Sequence, residues 1–384
     1  MRTILLLTLC AAFAAPSFGA AAPAARQKPV IAGYVFTNGA ALEPGQIDAR
    51  GLTRINYAFA GIKDGRIVEG SPQDAHNLEL LTSLRRQNPG LTVLISVGGW
   101  RGSKDFSDVA LTRQSRQVFI QSALAFIERY HLDGLDLDWE YPGERGAGNT
   151  FRGEDKQNFT LLLEELRERF NEASAQLHRP LYLTIAAAAS QEYLQHTEMN
   201  KVQSYVDAVN LMAYDFYVPG QEPATGNSAP LFTSPADPGQ VSADKSVQAF
   251  EQAGVPAAKI VLGMPFYGYA WSGVPASNHG LFQPGKPAPE PEVPYIIIER
   301  LMLGHGFRRY WDSASSVPYL YDRKQHTFVS YEDAESVAAK CQYVQSRGLA
   351  GVMFWKYSDD PEGTLLRVMD RSLGTSAPAD QQGR

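Results

Sequence analysis

The sequence is poor in cysteine and in positive charge. Its 384 residues include two cysteines, Cys10 and Cys341, so a small fold held together by several disulfides is excluded. Lysine and arginine number 35 against 41 aspartates and glutamates, a formal net charge of −6, and this balance offers no basic surface for nucleic acid. The seven histidines are scattered without a metal-ligand spacing such as H-E-x-x-H, so we expect neither a metal ion nor another cofactor.

Long apolar runs are also missing, apart from one near the amino terminus. The run from Ile4 to Ala15 is shorter than the ~18 residues of a membrane-spanning helix. It follows Arg2 and precedes small residues up to Ala20, which is the pattern of a secretory signal peptide. We therefore predict a signal peptide over residues 1–20, cleavage near Ala20, and a secreted (extracellular or periplasmic) protein without a membrane anchor. The polar tail over residues 374–384 is predicted to be disordered.

Eight apolar runs of strand length alternate with longer helical patterns along the chain. The runs are Val30 to Phe36, Arg54 to Ala60, Thr92 to Gly98, Gly134 to Glu140, Tyr182 to Ala188, Val209 to Tyr214, Ile260 to Pro265 and Gly351 to Trp355. This alternation predicts repeated βα units, and eight parallel strands predict a closed barrel. More than 80 residues separate the last two runs, too many for an ordinary connection. The sequence thus predicts an α/β fold, a (β/α)8 barrel over residues 30–370 with a small α+β insertion over 272–345.

The fourth run, in the sequence DGLDLDWEYP, carries a row of three carboxylates. Alternate side chains of a strand share one face, so Asp136, Asp138 and Glu140 would follow one another at ~6.6 Å. A row of like charges destabilises a partly buried site unless protons, cations or a ligand offset the repulsion. Three interpretations follow: a solvated edge strand, a site for a hard cation, or acid–base chemistry at the carboxyl end of a barrel strand.

Aromatic residues gather at the predicted strand ends and in the insertion. They include Trp100, Trp139, Tyr141, Tyr214, Tyr267, Trp271, Trp311 and Trp355. Any one of them could equally be a core residue, but together they suggest stacking platforms for sugar rings and so favour acid–base chemistry. Glu140, at the strand end, is then the candidate general acid. Asp138, on the same strand face, is badly placed as an opposed nucleophile.

The carboxylate row resembles the D-x-x-D-x-D-x-E signature of family 18 glycoside hydrolases, the chitinases and their relatives, which are TIM-barrel proteins. Two further segments agree in order: Ser96 to Gly99 resembles the S-x-G-G motif of strand three, and Met212 to Asp215 resembles the M-x-Y-D motif after strand six. The resemblance covers nearly all of Val30 to Leu366. It departs at Tyr269, where many relatives carry arginine.

The resemblance implies a retaining, substrate-assisted reaction, in which the acetamido oxygen of a sugar attacks C1 and forms an oxazolinium ion. Glu140 would act as acid and then as base, Asp138 would orient the acetamido group, and Asp136 would share a proton with Asp138. Tyr214 would donate its hydroxyl to the acetamido oxygen. The resemblance also implies a set of substrate-binding residues, and its two glycines would let backbone and sugar approach closely. The set is Tyr34, Phe59, Gly98, Gly99, Trp100, Trp139, Tyr141, Met212, Asp215, Tyr267 and Trp355.

The expected function is hydrolysis of the β-1,4 linkages of chitin or chito-oligosaccharides by a monomeric chitinase. Two alternatives stay open: an endo-β-N-acetylglucosaminidase that cuts N-glycans, and a lectin that binds chitin without cleaving it. Such lectins typically lack the acid, and Glu140 is present. The sequence does not distinguish endo from exo action.

Overall fold

The computed structural model describes residues 28–374, so the predicted signal peptide and the tail beyond Gly374 lie outside the described residues. Numbered in chain order, the strands are β1 (Val30–Phe36), β2 (Arg54–Lys63), β3 (Arg66–Val68), β4 (Thr92–Gly98), β5 (Gly134–Asp138), β6 (Tyr182–Ala188), β7 (Ala208–Met212), β8 (Ile260–Pro265), β9 (Tyr267–Ser272), β10 (Lys286–Pro294), β11 (Arg308–Asp312), β12 (Val317–Asp322), β13 (Thr327–Ser330) and β14 (Gly351–Trp355). The helices are α1 (Asp74–Ser83), α2 (Phe106–Leu111), α3 (Arg113–Arg129), α4 (Asp155–Leu177), α5 (Gln191–Gln195), α6 (Met199–Val202), α7 (Ala243–Gln252), α8 (Tyr295–Ile297), α9 (Ala334–Arg347) and α10 (Thr364–Leu373).

Eight parallel strands form a closed barrel, in the order β1-β14-β8-β7-β6-β5-β4-β2, and pairing of β2 with β1 closes it. The strands are buried on both faces because helices cover the outside and side chains fill the inside, and the inward face includes polar residues such as Ser96, Asp136 and Asn210. Each of the eight predicted runs overlaps one barrel strand, so the predicted closed barrel is confirmed. In residues 28–374 no helix has both the length and the apolar character needed to cross a bilayer.

Two barrel strands end earlier than the sequence predicts. Strand β5 ends at Asp138 and β7 ends at Met212, so Glu140 and Tyr214 each lie two residues beyond a strand. The carbonyl of Asp138 accepts a hydrogen bond from the Gly99 amide at 2.8 Å in the loop after β4. After Tyr214 the backbone turns away at Asp215, whose φ of 61° is left-handed. The two side chains are therefore held by loops at the carboxyl end of the barrel and not by the sheet.

A five-stranded antiparallel sheet, ordered β10-β9-β13-β12-β11, stands between β8 and β14. Its bounds differ from the expected 272–345, because β9 already begins at Tyr267 and β13 ends at Ser330. Helix α9, which the expected range included, packs on α10 and β14 and belongs to the barrel. The sheet has a core of its own, made of Tyr217, Trp271, Val274, Leu281, Tyr319, Tyr321 and Phe328.

Candidate active site

Asp136 lies fully buried in the middle of the barrel. Its Oδ2 atom accepts hydrogen bonds from the hydroxyls of Tyr34 at 2.9 Å and Ser96 at 2.8 Å. Its Oδ1 atom accepts from the Thr184 hydroxyl at 2.5 Å and from the Asn210 amide at 2.9 Å. The four donors come from β1, β4, β6 and β7. Four donors stabilise this carboxylate strongly, and the buried guanidinium of Arg54 also interacts with its charge.

Asp138 and Glu140 continue the row toward the carboxyl end of the barrel. Asp138 is buried, and its Oδ1 atom has no hydrogen-bond partner among the described residues. Burial, together with the charges of Glu140 and Asp136, raises the pKa of Asp138 well above its usual value. Burial raises the pKa of Glu140 to about 7, with a further upward contribution from Asp215 and an opposing one from a hydrogen bond with Tyr141. Asp138 and Glu140 can therefore hold protons near neutral pH.

The glycines of the S-x-G-G segment make room for protein atoms. A Cβ at Gly98 would lie 2.1 Å from the carbonyl oxygen of Asp138, and the φ of Gly98 is 108°. A Cβ at Gly99 would lie 2.5 Å from the ring of Phe59. The backbone of β5 and an aromatic ring thus lie where side chains at these glycines would be, and the approach of a sugar to them stays a prediction.

Tyr214 and Asp215 lie together at the end of β7. The Tyr267 hydroxyl donates to Asp215 Oδ1 at 2.5 Å, and the rings of Tyr214 and Tyr267 meet edge-on with centroids 6.4 Å apart. Burial raises the pKa of Asp215 to about 6, and the hydrogen bond from Tyr267 opposes this rise. Sequence reasoning missed Gly263 of β8, where a Cβ would lie 2.9 Å from Tyr214 Cε1. A lone glycine in a strand marks such a close approach.

Trp355, at the end of β14, forms an aromatic floor at the mouth of the barrel. Its ring lies 5.6 Å from the ring of Phe59 in a stacked arrangement, and 5.8 Å from the ring of Tyr34. Phe36 also contacts it, with centroids 5.6 Å apart. Phe36 was not predicted, although it follows Tyr34 by two residues in β1 and so shares its face. Met212, Tyr214 and Trp355 belong to one partly exposed apolar group.

Two of the predicted stacking residues are core residues instead. Trp139 is 1% exposed; its ring stacks on Phe106 at 5.4 Å and meets Phe159 edge-on at 5.7 Å. The alternation that turns Asp138 and Glu140 inward turns Trp139 outward, toward the helices. Trp271 is fully buried in the core of the antiparallel sheet.

Trp100 and Tyr141 border the row at the surface. Trp100 is 50% exposed, and its ring centroid lies 6.4 Å from that of Tyr141. The Tyr141 ring in turn meets the buried ring of Tyr193 edge-on at 6.2 Å. An exposed indole next to the carboxylates is suited to contact an apolar face of a ligand.

Among residues 28–374, one group of potential metal ligands comprises Glu144, Glu192 and His196. Nδ1 of His196 lies 3.2 Å from a Glu144 carboxylate oxygen and 3.1 Å from the Glu192 carbonyl oxygen. Nδ1 of His196 thus has one hydrogen-bond partner in the described part of the chain, the Glu192 carbonyl, and lies near the Glu144 carboxylate without a hydrogen bond to it. The group lies outside the carboxylate row.

A buried carboxyl group whose pKa is raised to about 7, beside a second buried carboxyl group and an aromatic floor, is suited to acid catalysis on a ring-shaped substrate. Residues 30–360 match the family described as Glycosyl hydrolases family 18. The chain therefore belongs to this family.

Named relatives agree with that family. Chitinase A1 of Niallia circulans is 41% identical over 340 residues, which are 83% of this chain and 48% of the relative. The chain thus spans about half of that protein. A solved family 18 N-acetylglucosaminidase from Paenibacillus barengoltzii is 41% identical, with a TM-score of 0.82 over 90% of this chain and 99% of the other. A mutant class V chitinase from Nicotiana tobaccum in complex with NAG4 is 30% identical, with a TM-score of 0.82 over 91% of this chain and 100% of the other.

Proposed function

We propose that the protein is a chitinase, which hydrolyses β-1,4 linkages between N-acetylglucosamine units with retention of configuration. The observation that carries this proposal is the buried carboxyl of Glu140, whose pKa is raised to about 7 next to Asp138. An acid that is protonated near neutral pH can donate to a glycosidic oxygen. The names of the relatives, and the NAG4 bound by one of them, support a chito-oligosaccharide as the substrate.

In the proposed mechanism Glu140 protonates the leaving oxygen while the acetamido oxygen of the sugar attacks C1. Asp138 orients the acetamido N–H and stabilises the positive charge that develops on the ring. Tyr214 donates its hydroxyl to the acetamido oxygen. Water then opens the oxazolinium ion, with Glu140 as base, and the product keeps the β-configuration. We also propose that Asp136 and Asp138 share a proton.

The remaining assigned residues would bind the sugar. Asp215 and Tyr267 would hydrogen-bond it beside the cleavage point, and Trp355 would support the ring of the sugar to be cleaved. The partly exposed Trp100 and Tyr141 would contact the sugar units farther from the cleavage point of the oligosaccharide.

The test is NMR of fresh products from a chitin hexasaccharide, with Glu140→Gln as the paired variant. We expect β-anomers from the native protein, and no turnover but retained oligosaccharide binding by the variant, because the amide cannot donate the proton. An active Glu140→Gln would remove Glu140 from the role of acid. If both proteins bind and neither cleaves, the protein is a chitin-binding lectin.

A second candidate is an N-acetylglucosaminidase, favoured by the relative of that name with 41% identity over 90% of this chain. Product lengths in the same experiment distinguish the two. Release of single N-acetylglucosamine units from the first minutes supports this candidate, whereas larger fragments support endo-acting chitinase activity. Cleavage of N-glycans and not of chitin would identify the endo-β-N-acetylglucosaminidase alternative.

We also infer that the protein is secreted and that it is a monomer. The support for secretion is the apolar segment that follows Arg2 and ends near Ala20. Amino-terminal sequencing of protein recovered outside the cytoplasm should begin near Ala21, and light scattering should give the mass of one chain. Recovery of the uncleaved chain only from the cytoplasm would contradict secretion.

A further inference from the structure

One short helical segment, residues 103–111, contacts the loop that carries Glu140 at three points. It begins as a 3-10 turn at Ser103 and continues as α2. Ser103 and Ser107 are both fully buried, and four residues of separation put them on one face of the helix. Phe106, between them, stacks on Trp139 with ring centroids 5.4 Å apart.

Ser103 holds the backbone on both sides of Trp139. Its hydroxyl accepts a hydrogen bond from the Glu140 amide at 2.9 Å. The same hydroxyl donates to two carbonyl oxygens, with Oγ 3.0 Å from that of Asp138 and 2.9 Å from that of Gly99. Since β5 ends at Asp138, this serine takes over the backbone pairing that the sheet no longer supplies.

Ser107 holds the other end of the same loop through Asp155, the first residue of α4. Its hydroxyl donates to Asp155 Oδ1 at 2.6 Å. Asp155 Oδ2 accepts from the amides of Gly143 at 3.3 Å and Arg152 at 2.8 Å. Asp155 is fully buried, so its carboxylate relies on these donors. The loop is thus fixed at residue 140 and again at residue 143.

We propose that Ser103 and Ser107 are positioning residues, which together clamp the segment from residue 138 to residue 143 and so fix the carboxyl of Glu140. Neither serine touches the substrate in this role. The proposal rests on the proposed function only where it assigns Glu140 as the acid. It explains why an acid outside the sheet keeps a defined place: three contacts from one helical face replace the missing strand.

The test compares Ser103→Ala, Ser107→Ala and the double variant with Ser122→Ala. Ser122 is a matched control, because its hydroxyl also accepts from an amide, that of Ile67 at 3.0 Å, and donates to a carbonyl, that of Phe119 at 2.7 Å. It joins β3 to α3 and belongs to no part of the site. The readouts are kcat and KM on a chitin oligosaccharide, and the titration of Glu140 followed by ¹³C NMR in glutamate-labelled protein, assigned with Glu140→Gln.

We expect Ser103→Ala to lower kcat by about 100-fold, the loss that a displacement near 1 Å can cause, with little change in KM. The titration of Glu140 should move to lower pH, because the released loop admits water to a carboxyl whose burial raised its pKa. Ser107→Ala should shift both quantities in the same direction by less, and Ser122→Ala should change neither.

A Ser103→Ala variant with native kcat and native Glu140 titration would overturn the proposal. If only Ser107→Ala behaves like the native protein, the clamp reduces to Ser103. If Ser103→Ala does not fold, the proposal is tested by Ser107→Ala alone, and native kcat with a native Glu140 titration in that variant would overturn it. A native protein that cleaves no chitin oligosaccharide refutes the proposed function, while the NMR titration still tests the clamp.

Discussion

Glu140 combines burial with a nearby negative charge, and both oppose its ionisation. Its pKa is raised to about 7, and a general acid works only while protonated. We therefore expect kcat/KM, which reports groups of the ligand-free protein, to be high below this pH and to fall as the pH rises through about 7. Because Glu140 interacts with the neighbouring carboxyl groups, the pH at which the rate falls is a property of the group of carboxyls and not of Glu140 alone. A pH–rate profile on a neutral chito-oligosaccharide measures it.

Asp215→Asn provides the matched change for this prediction. The negative charge of Asp215 contributes to the raised pKa of Glu140, so its removal should move the fall of kcat/KM to lower pH. The midpoint of the fall is compared and not its height, because the variant also loses a proposed sugar contact. A native profile that stays flat from about pH 6 to about pH 8 would contradict the assignment of Glu140 as the titrating acid.

At the scale of elements, Gly98 decides how closely β4 and β5 approach. Its φ is 108°, and a side chain there would place its Cβ 2.1 Å from the Asp138 carbonyl oxygen, which leaves no room for one. We expect Gly98→Ala to lower the free energy of unfolding by at least about 1–3 kcal/mol and to lower kcat, because Asp138 and Glu140 follow the displaced backbone. Urea unfolding and initial rates measure the two effects.

Gly98→Ala combines two effects, a side chain at a positive φ and a clash with Asp138, and Gly348→Ala tests the first effect alone. Gly348 also has a positive φ, 66°, but among residues 28–374, apart from its chain neighbours, no heavy atom lies within 4 Å of its Cβ position. It caps α9, far along the chain from the carboxylate row. Its substitution should reduce stability modestly and leave kcat native. Equal losses of kcat in the two variants would show that contact with Asp138 is not the cause.

A fully buried ion pair joins Lys340 of α9 to Glu332, which lies in the segment between β13 and α9. Lys340 Nζ also donates to the Ala229 carbonyl at 2.6 Å. Lys340→Met leaves a buried carboxylate without its partner, and we expect a loss of about 3–5 kcal/mol in the free energy of unfolding. Lys340→Met combined with Glu332→Leu should regain most of it. Chemical denaturation of the native, single and double variants checks this, and equal losses in single and double variants would contradict it.

Local patterns could predict the barrel strands and the carboxylate row, because both depend on periodicity within a few residues. The four donors to Asp136 could not be predicted, since they lie on strands that only the closed barrel brings together. Trp139 was misassigned because its place near the site was considered without the direction of its side chain. Ser103 gave no signal, since a serine in a polar loop resembles any exposed serine until the fold buries it.

At the scale of the whole molecule, the chain is acidic, with a formal net charge of −6. A neutral chito-oligosaccharide has no charge for that field to attract, so its kcat/KM should not depend on salt. Partially deacetylated oligomers are cationic, and their kcat/KM should fall between about 0.01 M and 1 M salt, as the screening length shrinks from about 30 Å to about 3 Å. Rates on both substrates across this range test the prediction, and the neutral substrate is the control. An equal salt effect on both would contradict it.

The buried carboxylate of Asp136 joins side chains from four separate strands of the barrel. It works as a noncovalent crosslink through the barrel axis, and it also contributes to the raised pKa of the neighbouring Asp138, for which we propose a role in catalysis. Selection for folding and selection for catalysis therefore act on the same few side chains. A library randomised at these positions would lose folded protein and active protein together, so stabilising changes should be sought in the outer layer of helices.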